Sequence, residues 1–342
     1  MSASDRDRLA VRPLGSRILG TGHAVPTRVV TNADLQDSLQ TTDKWIRERT
    51  GIRERHIASP EEPGSVLATR AARHALETAG IAAEDLDLIV VGTFTPDYPM
   101  PATAVLVQRA LGASCAAFDL SAACAGFVYG LSIADQFVSR GTARYALVIG
   151  VELLSHVTDW TDRSTAILFG DGAGAVVVGP TSAEDVAAGR GILSTHLFAD
   201  GAHAESLIVP GGGTREPITA ANVGDRRVTI KMQGKEVFKH AVRSLASSCR
   251  SALAAHDLAP KDVDWVVAHQ ANLRILEGVA ERNEVSMDRF YVNLDRFGNT
   301  SSASIPIALD EAVRNGAIQR GQLLVLCALG GGLTWGCALV RW

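Results

Sequence analysis

Cys124, His269 and Asn299 are the side chains of this 342-residue chain whose types and positions point to chemistry. Cys124 lies in FDLSAACAGFVYGL, where a short apolar run typical of a strand precedes a small-residue turn and apolar residues at helical spacing. At such a junction the unpaired N–H groups and the dipole of the helix favour a thiolate. The pattern indicates a nucleophile, and a buried cysteine acting as a small apolar residue is the structural alternative.

The other two polar residues also follow predicted strands. His269 comes directly after VDWVVA, and Asn299 lies in FGNTSS after YVNL. A histidine satisfied in the core and an asparagine in a glycine turn would be the structural explanations. A histidine, an asparagine and a turn cysteine that all follow predicted strands are harder to explain by structure alone.

An internal repeat relates the two parts of the chain. RHALETAGIAAEDLDLIVV begins at Arg73, and RSALAAHDLAPKDVDWVVA begins 177 residues later at Arg250. The same offset carries Cys124 onto Ser301, which lies in a second pattern of strand, small-residue turn and helix. We therefore predict two similar α/β halves, each with a buried, mostly parallel sheet and crossover helices.

These halves define the expected domain organisation. Residues 1–12 are predicted to be a disordered tail, residues 13–185 the N-terminal half with the cysteine, and residues 186–342 the C-terminal half with the histidine and asparagine. Loops at the strand ends of both halves can meet in a shared cleft, where ligands commonly bind in such sheets.

Composition excludes several classes of function. Apolar residues make up 46% of the chain, charged residues 20%, and the net charge is −4, so we expect no binding to nucleic acid or to an anionic membrane. The N-terminus lacks the apolar core of a signal peptide, and no apolar run approaches the length of a membrane span. The five cysteines are scattered without zinc spacing, which favours a reducing, cytoplasmic location and no metal.

The segment ILFGDGAGAVVVG is predicted to form two strands around a glycine-rich turn. It superficially matches a dinucleotide-binding loop. However, the third glycine is missing and the valine run continues as a strand instead of a helix. We therefore assign the turn a structural role near the cleft.

Taken together, SAACAGF, HQAN and GNTSSAS resemble the Cys-His-Asn triad of the β-ketoacyl-acyl-carrier-protein synthase III family. The resemblance extends to WIRERTGIRERHI, TDRSTAILFGDGAGAVV and GGGLTWGCALVRW, from about residue 16 to the C-terminus. It implies an α/β, thiolase-like fold of two similar halves with mostly parallel five-stranded sheets in an αβαβα layered arrangement. It also implies a homodimer.

The family implies a decarboxylative Claisen condensation of an acyl-CoA primer with malonyl-acyl-carrier protein, which initiates fatty-acid synthesis. Cys124 would carry the acyl group as a thioester. His269 and Asn299 would donate hydrogen bonds to the enolate oxygen, and the N–H groups of Cys124 and Gly331 would form the oxyanion hole. No cofactor is expected beyond the coenzyme A of the substrate.

Binding roles also follow from the resemblance. Trp45 and Arg163 would clamp the adenine of coenzyme A, and Arg49 would meet its phosphates. Met100 occupies a family position that is commonly aromatic and shapes the primer pocket, so primers longer than acetyl are a hypothesis. The residues implied to contact the carrier protein are Lys239, Gln270, Ala271, Asn272, Leu273 and Arg274.

A basic segment supports a carrier surface. Lys231, Lys235, Lys239 and Arg243 recur every four residues and share one face wherever the segment is helical. A solvated helix face explains the same spacing, whereas the family favours docking of an acidic carrier protein, which such a patch would steer.

Three other functions remain open on the sequence. One is a starter-unit synthase of the same fold in polyketide or other secondary metabolism. Another is a Cys-His thioester hydrolase, which would release a free acid. The third is a non-catalytic carrier-binding module, which would form no acyl adduct on Cys124.

Overall fold

The computed structural model describes residues 15–342. The tail predicted for residues 1–12 lies outside the described residues. The strands are β1 (Ser16–Ala24), β2 (Val29–Thr31), β3 (Glu54–His56), β4 (Leu88–Gly92), β5 (Ala116–Leu120), β6 (Ala146–Leu153), β7 (Asp171–Pro180), β8 (Gly191–Ala199), β9 (Leu207–Ile208), β10 (Lys231–Met232), β11 (Trp265–Ala268), β12 (Leu323–Gly330) and β13 (Thr334–Arg341).

The helices begin with a pair near the N-terminus and end with the one that precedes β12. They are α1 (Asn32–Leu39), α2 (Asp43–Thr50), α3 (Gly64–Ala79), α4 (Thr103–Leu111), α5 (Gly126–Ser139), α6 (Arg163–Ala166), α7 (Ala183–Ala187), α8 (Gly234–Ala254), α9 (Leu273–Asn283), α10 (Leu294–Phe297) and α11 (Ser304–Arg314). Among residues 15–342, no helix is both long and apolar enough to cross a membrane.

The first sheet has five strands in the order β1-β7-β6-β4-β5. β4 pairs in parallel with β5 and β6, whereas β7 runs antiparallel to both β6 and β1. Strands β4 and β6 are buried along their whole length, as expected for strands covered on both faces. The sheet is thus evenly divided between parallel and antiparallel pairs, because β7 returns directly from β6 and pairs with β1 on its other side.

The second sheet repeats this order with one strand fewer. Its order is β11-β12-β13-β8, and only the β11–β12 pair is parallel. The expected fifth strand is reduced to an isolated parallel bridge between Val266 and Phe290. The expectation of mostly parallel, five-stranded sheets in both halves was therefore wrong in this detail.

A buried side chain explains the missing strand. The amide of Gln270 donates to the carbonyl of Tyr291 at 3.0 Å and accepts the N–H of Asn293 at 3.1 Å. Backbone groups that a neighbouring strand would otherwise satisfy are satisfied by this side chain. The chain after Phe290 therefore leaves the sheet without unpaired buried groups at these two positions.

The elements stack in five layers. Helix α3 packs on the outer face of the first sheet, and α8 packs on the outer face of the second. Helices α5 and α11 lie between the two sheets, each in contact with both. This αβαβα arrangement confirms the thiolase-like fold class and brings the N-terminal ends of α5 and α11 into the middle of the molecule.

The glycine-rich segment before Val176 is part of strand β7 and does not form the expected turn. Strand β7 runs without interruption from Asp171 to Pro180. A Cβ at Gly174 would lie 2.7 Å from the backbone nitrogen of Ile307 in α11. The glycines therefore allow the central helix to approach the sheet closely, a packing role that local turn propensity cannot reveal.

Candidate active site

Two similar turns meet at the centre of the molecule. The first turn (Ala123–Ala125) leads into α5, and the second turn (Ser301–Ala303) leads into α11. Each begins with a residue of positive φ, 45° at Ala123 and 50° at Ser301. The sequence offset of 177 residues predicted Ser301 as the counterpart of Cys124. Because Ala123 and Ser301 begin the two turns, the offset is one residue longer here, and Cys124 corresponds to Ser302.

Glycines let the strands of each sheet approach these turns. A Cβ at Gly330, the last residue of β12, would lie 2.4 Å from the backbone nitrogen of Cys124. A Cβ at Gly150 in β6 would lie 2.2 Å from the carbonyl oxygen of Ser302. Both distances are too short for a side chain, so each turn is held against the backbone of a strand.

Cys124, His269 and Asn299 all line one cleft of about 320 Å³. His269 and Asn299 are buried, at 3% and 7% exposure, and Cys124 is half-buried. The structure thus brings together the three residues that the sequence singled out, from strand ends that are far apart in the chain. Other side chains along this cleft include Trp45, Arg49, Ile167, Phe169, Val237, Ala271 and Asn272.

His269 is oriented as a neutral donor. Its Nδ1 lies 2.7 Å from the hydroxyl of Ser304, which also accepts the N–H of Gln270. The Ser304 proton is therefore available to Nδ1, which leaves the ring proton on Nε2. Burial lowers the pKa of His269 to about 4, so the ring is uncharged at neutral pH.

Asn299 is held by both halves. Its backbone N–H donates to the carbonyl of Leu168, and its own carbonyl accepts the N–H of Gly170. Its Oδ1 accepts the N–H of Ser301 at 2.9 Å, which assigns the amide orientation. The side-chain NH₂ can then donate a hydrogen bond to a ligand in the cleft.

The Cys124 sulfur is protonated in the free site. Burial raises the pKa of its thiol to about 12, against a hydrogen bond from Ser301 that lowers it, and the charge of Glu152 raises it further. Burial therefore outweighs the helix terminus that led us to expect a favoured thiolate.

A second, apolar chamber of about 340 Å³ lies on the other side of Cys124. It touches Gly331, which the sequence predicted in the oxyanion hole. Met100, predicted in the primer pocket, is 85% exposed and does not line this chamber within one chain. The walls are formed by Phe94, Leu154, Phe169, Ala204, Leu207, Ile208, Val209 and Ile230.

The residues predicted to bind coenzyme A form a stack at the mouth of the cleft. The guanidinium carbons of Arg49 and Arg163 lie 4.5 and 4.9 Å from the centre of the Trp45 ring. Arg163 also donates to the carbonyl of Gln40 at 3.3 Å. A planar base could replace one guanidinium against the indole, so the geometry suits an adenine clamp.

The predicted carrier surface is only partly exposed. Lys239 and Arg274 are exposed, whereas Gln270, at 1% exposure, is buried with its amide fully engaged. Gln270 as a carrier contact was therefore wrong. Ala271 lines the cleft, and Asn272 caps α9 and donates to the carbonyl of Arg49.

Two further positions near this surface differ in their surroundings. Leu273 is half-buried and packs against Gly51, where an added Cβ would lie 2.9 Å from the Cβ of Leu273. Lys231 lies in β10, outside helix α8, and pairs with Asp159 at 3.7 Å. The basic helical row is therefore restricted to Lys235, Lys239 and Arg243.

Sequence reasoning missed Glu152, Ser301 and Ser304 as parts of the site. Glu152 is fully buried in β6, and its carboxyl contacts the hydroxyls of Ser301 and Ser302. One signal was present, since this glutamate interrupts the otherwise apolar run ALVIGVELL. The repeat pointed to Ser301 only as the counterpart of Cys124, and Ser304 carried no signal of its own, because hydroxyls in a turn have many explanations.

Comparison with known proteins places the chain among condensing enzymes. The family model described as 3-oxoacyl-[acyl-carrier-protein] synthase III matches residues 118–201. A second model, which describes the C-terminal part of the same enzyme, matches residues 253–342. The β-ketoacyl-[acyl-carrier-protein] synthase III of Rhodospirillum centenum is 54% identical over 96% of this chain and 100% of that protein.

Solved structures agree with this assignment. The 3-oxoacyl-[acyl-carrier-protein] synthase III of Aquifex aeolicus VF5 is 46% identical with a TM-score of 0.87, and the match covers 96% of this chain and 100% of that one. The priming β-ketosynthase of the R1128 polyketide pathway is 38% identical with a TM-score of 0.88, over 96% of each chain. The chain belongs to the β-ketoacyl-acyl-carrier-protein synthase III family of acyltransferases, the condensing enzymes that its Cys-His-Asn motifs indicated.

Proposed function

We propose that this enzyme condenses an acyl-CoA primer with malonyl-acyl-carrier protein and releases 3-oxoacyl-acyl-carrier protein, coenzyme A and CO₂. The observation that carries the proposal is the position of Cys124, which lines both the polar-mouthed cleft and the apolar chamber. A thioester can reach the sulfur through the cleft while its acyl chain occupies the chamber. No cofactor is part of the proposal.

In the first half-reaction the Cys124 sulfur attacks the thioester carbonyl of the primer. The new S–C bond forms as the C–S bond to coenzyme A breaks, and the thiol proton leaves with the coenzyme A sulfur. The N–H groups of Cys124 and Gly331 would stabilise the tetrahedral oxyanion. The Trp45 stack would hold the adenine of the departing coenzyme A.

In the second half-reaction malonyl-acyl-carrier protein enters the same cleft. Loss of CO₂ leaves an enolate whose oxygen is stabilised by His269 Nε2–H and by the Asn299 amide. The enolate carbon attacks the carbonyl of the acyl-cysteine, the C–S bond to Cys124 breaks, and the released thiolate takes a proton from solvent. Two neutral donors suit this step, since a cationic imidazolium would be costly at a buried position.

Intact-mass spectrometry with a panel of acyl-CoAs tests the function. We expect one acyl adduct on Cys124, followed after addition of malonyl-acyl-carrier protein by loss of the adduct and formation of a 3-oxoacyl product. A free acid as the only product would support a thioester hydrolase, and no adduct with any donor would overturn the mechanism.

The chamber beside Cys124 favours a primer longer than acetyl, in fatty-acid initiation or in the priming of a secondary-metabolite pathway. At about 340 Å³ it exceeds roughly tenfold the ~30 Å³ that one water occupies in the liquid, far more than an acetyl methyl group requires. Relative kcat/KM across primer lengths tests this preference, and the preferred donor and acceptor together distinguish the two pathways. A strong preference for acetyl-CoA would favour fatty-acid initiation with a small primer.

We also include a homodimer in the proposal. Among residues 15–342, strand β5 pairs only with β4, and its residues are exposed or half-buried although they belong to the first sheet. The exposed side chains of Tyr98, Met100 and Val105 lie on the segment that precedes it. A second copy covering this open edge would bury them and could bring its own methionine toward the chamber, which sedimentation of wild type and Met100→Glu would test. The cytoplasmic location stays a prediction.

A further inference from the structure

Glu152 is a buried carboxyl group that the reaction described above does not use. It is 0% exposed, its partners are hydroxyls and one backbone N–H, and it makes no ion pair within residues 15–342. Oε2 accepts from Thr95 Oγ1 at 2.6 Å and from Thr93 Oγ1 at 3.4 Å, and the N–H of Phe94 lies between the two oxygens, its nitrogen 3.3 Å from Oε1 and 3.4 Å from Oε2. Oε1 lies 3.3 Å from Ser301 Oγ and 3.2 Å from Ser302 Oγ.

Hydrogen-bond accounting assigns a proton to Oε1. Ser302 has one hydroxyl proton, and the hydroxyl lies 2.8 Å from the carbonyl of Gly92, which can only accept. The contact between Ser302 Oγ and Glu152 Oε1 therefore needs a proton from the carboxyl group. Oε2, which receives the hydroxyl protons of Thr95 and Thr93, is then the carbonyl-type oxygen of a neutral acid.

A neutral Glu152 changes what Ser301 can do. The single carboxyl proton goes to Ser302, so Ser301 faces a protonated oxygen that accepts only weakly, and the Ser301 proton is available to the Cys124 sulfur. When the carboxyl group is ionised, it competes for that proton and adds a negative charge beside the thiol. Burial raises the pKa of Glu152 to about 8, which keeps the neutral form dominant at neutral pH.

We propose that Glu152 is a positioning residue that acts as a neutral acid, directing the Ser301 hydroxyl to Cys124 and sparing the sulfur a neighbouring charge. It does not touch substrate, and it does not serve as the base for the thiol. The inference rests on the proposed role of Cys124 as the nucleophile.

The other titratable groups around Glu152 do not control this effect. His269 is shifted by burial alone, and Asp171 on the adjacent strand hydrogen bonds to Ala58 and Ser155. Asp97, on the loop beyond Thr95, accepts the N–H of Ser65. Cys124 is the titratable group whose pKa the Glu152 charge raises.

The test measures the alkylation rate of Cys124 by peptide mass spectrometry as pH rises through the Glu152 pKa of about 8, without any acyl donor. In Glu152→Gln the site stays neutral, so we expect wild-type rates below this pH. Above it, we expect alkylation roughly tenfold faster than in wild type, since one pKa unit changes the thiolate fraction tenfold. Acylation by an acyl-CoA should follow the same pH dependence.

Two variants keep the result interpretable. Asp171→Asn removes a buried carboxyl group from the neighbouring strand and should leave the Cys124 pH profile as in wild type. Ser301→Ala should slow alkylation below the Glu152 pKa and should keep the inhibition above it. If Glu152→Gln misfolds, this pattern in Ser301→Ala still supports the proposal, and an unchanged rate there contradicts it.

Superimposable profiles of wild type and Glu152→Gln would overturn the inference. A uniformly slower Glu152→Gln would overturn it as well, because that result would make the carboxylate a base. Because alkylation needs no acyl transfer, failure of the proposed function would appear separately, as an alkylated but never acylated Cys124.

Discussion

The first turn and the second turn share one backbone and differ in what their central residues can reach. Cys124 is half-buried and borders both the cleft and the apolar chamber. Ser302, its counterpart, is 1% exposed and donates to a backbone carbonyl. The same strand-turn-helix unit thus presents its central residue to the cleft in one half and buries it in the other.

His269 and Asn299 show the opposite asymmetry, because both lie in the second half and their counterparts in the first half are residues of other types. His269 follows β11 directly. The repeat places Gly92, the last residue of β4, at the equivalent position, where a Cβ would lie 2.8 Å from the carbonyl carbon of Gly126, which leaves no room for a side chain. Asn299 lies two residues before the second turn, and its counterpart Ser121 is exposed. One half supplies the sulfur and the other the hydrogen-bond donors, so the site needs both halves.

Replacement of the nucleophile should have the largest effect. Cys124→Ala should abolish the acyl adduct seen by intact mass. In the double variant Cys124→Ala/Ser302→Cys we expect no recovery, because a sulfur at the second turn is buried away from cleft and chamber. An adduct at position 302 would show that the two turns are functionally equivalent.

Removal of one donor should separate the two half-reactions. His269→Ala and Asn299→Ala should keep acylation of Cys124 and lower the decarboxylation rate on the order of 10²–10³-fold, as is typical for loss of one such donor. Release of labelled CO₂ from malonyl-acyl-carrier protein measures the second step alone. Equal losses in both steps would contradict the division of roles between the halves.

Alanine at the two close-approach glycines compares the turns directly. Gly330→Ala places a methyl group against the Cys124 nitrogen, and Gly150→Ala places one against the Ser302 carbonyl. Both should lower the free energy of unfolding by about 1–3 kcal/mol, the usual cost of overpacking. Only Gly330→Ala should also slow acylation strongly, which rapid-quench mass spectrometry measures; equal slowing by Gly150→Ala would contradict the asymmetry.

The smallest effects should come from the entrance of the cleft, where the halves also differ. Trp45→Ala should raise KM for acyl-CoA several-fold and leave that for malonyl-acyl-carrier protein unchanged. Lys239→Glu should do the opposite, with a difference from wild type that shrinks as salt screens the charge. Glu236→Lys, on the same helix, is a matched charge control that should not weaken carrier binding.

Local sequence patterns were sufficient to predict the parts of the site in which polar residues directly follow strands. The apolar runs before Cys124 and His269, together with the repeat, predicted both the α/β halves and the three residues that share the cleft. The fold class was confirmed. The roles of the three residues stay predictions that the geometry supports.

Local patterns failed where a distant segment decides the outcome. Gly174 suggested a turn, but it lies within a strand because α11 packs on it. Gln270 sits in a motif that suggested a partner surface, but its amide replaces a missing strand. Lys231 was predicted on the basic helix face, but it lies in β10 and forms an ion pair with Asp159.

The amino-acid sequence by itself determined the fold class and singled out the three residues that share the cleft, since periodicity and strand-end chemistry are local properties. Burial and proton placement were settled only by tertiary contacts. Glu152 and Ser301 are 149 residues apart, and what keeps the carboxyl group neutral is the packing of the two turns around it. The stretch around Cys124 could therefore be recognised as a nucleophile in advance, whereas the state of its sulfur depends on groups that only the folded molecule brings beside it.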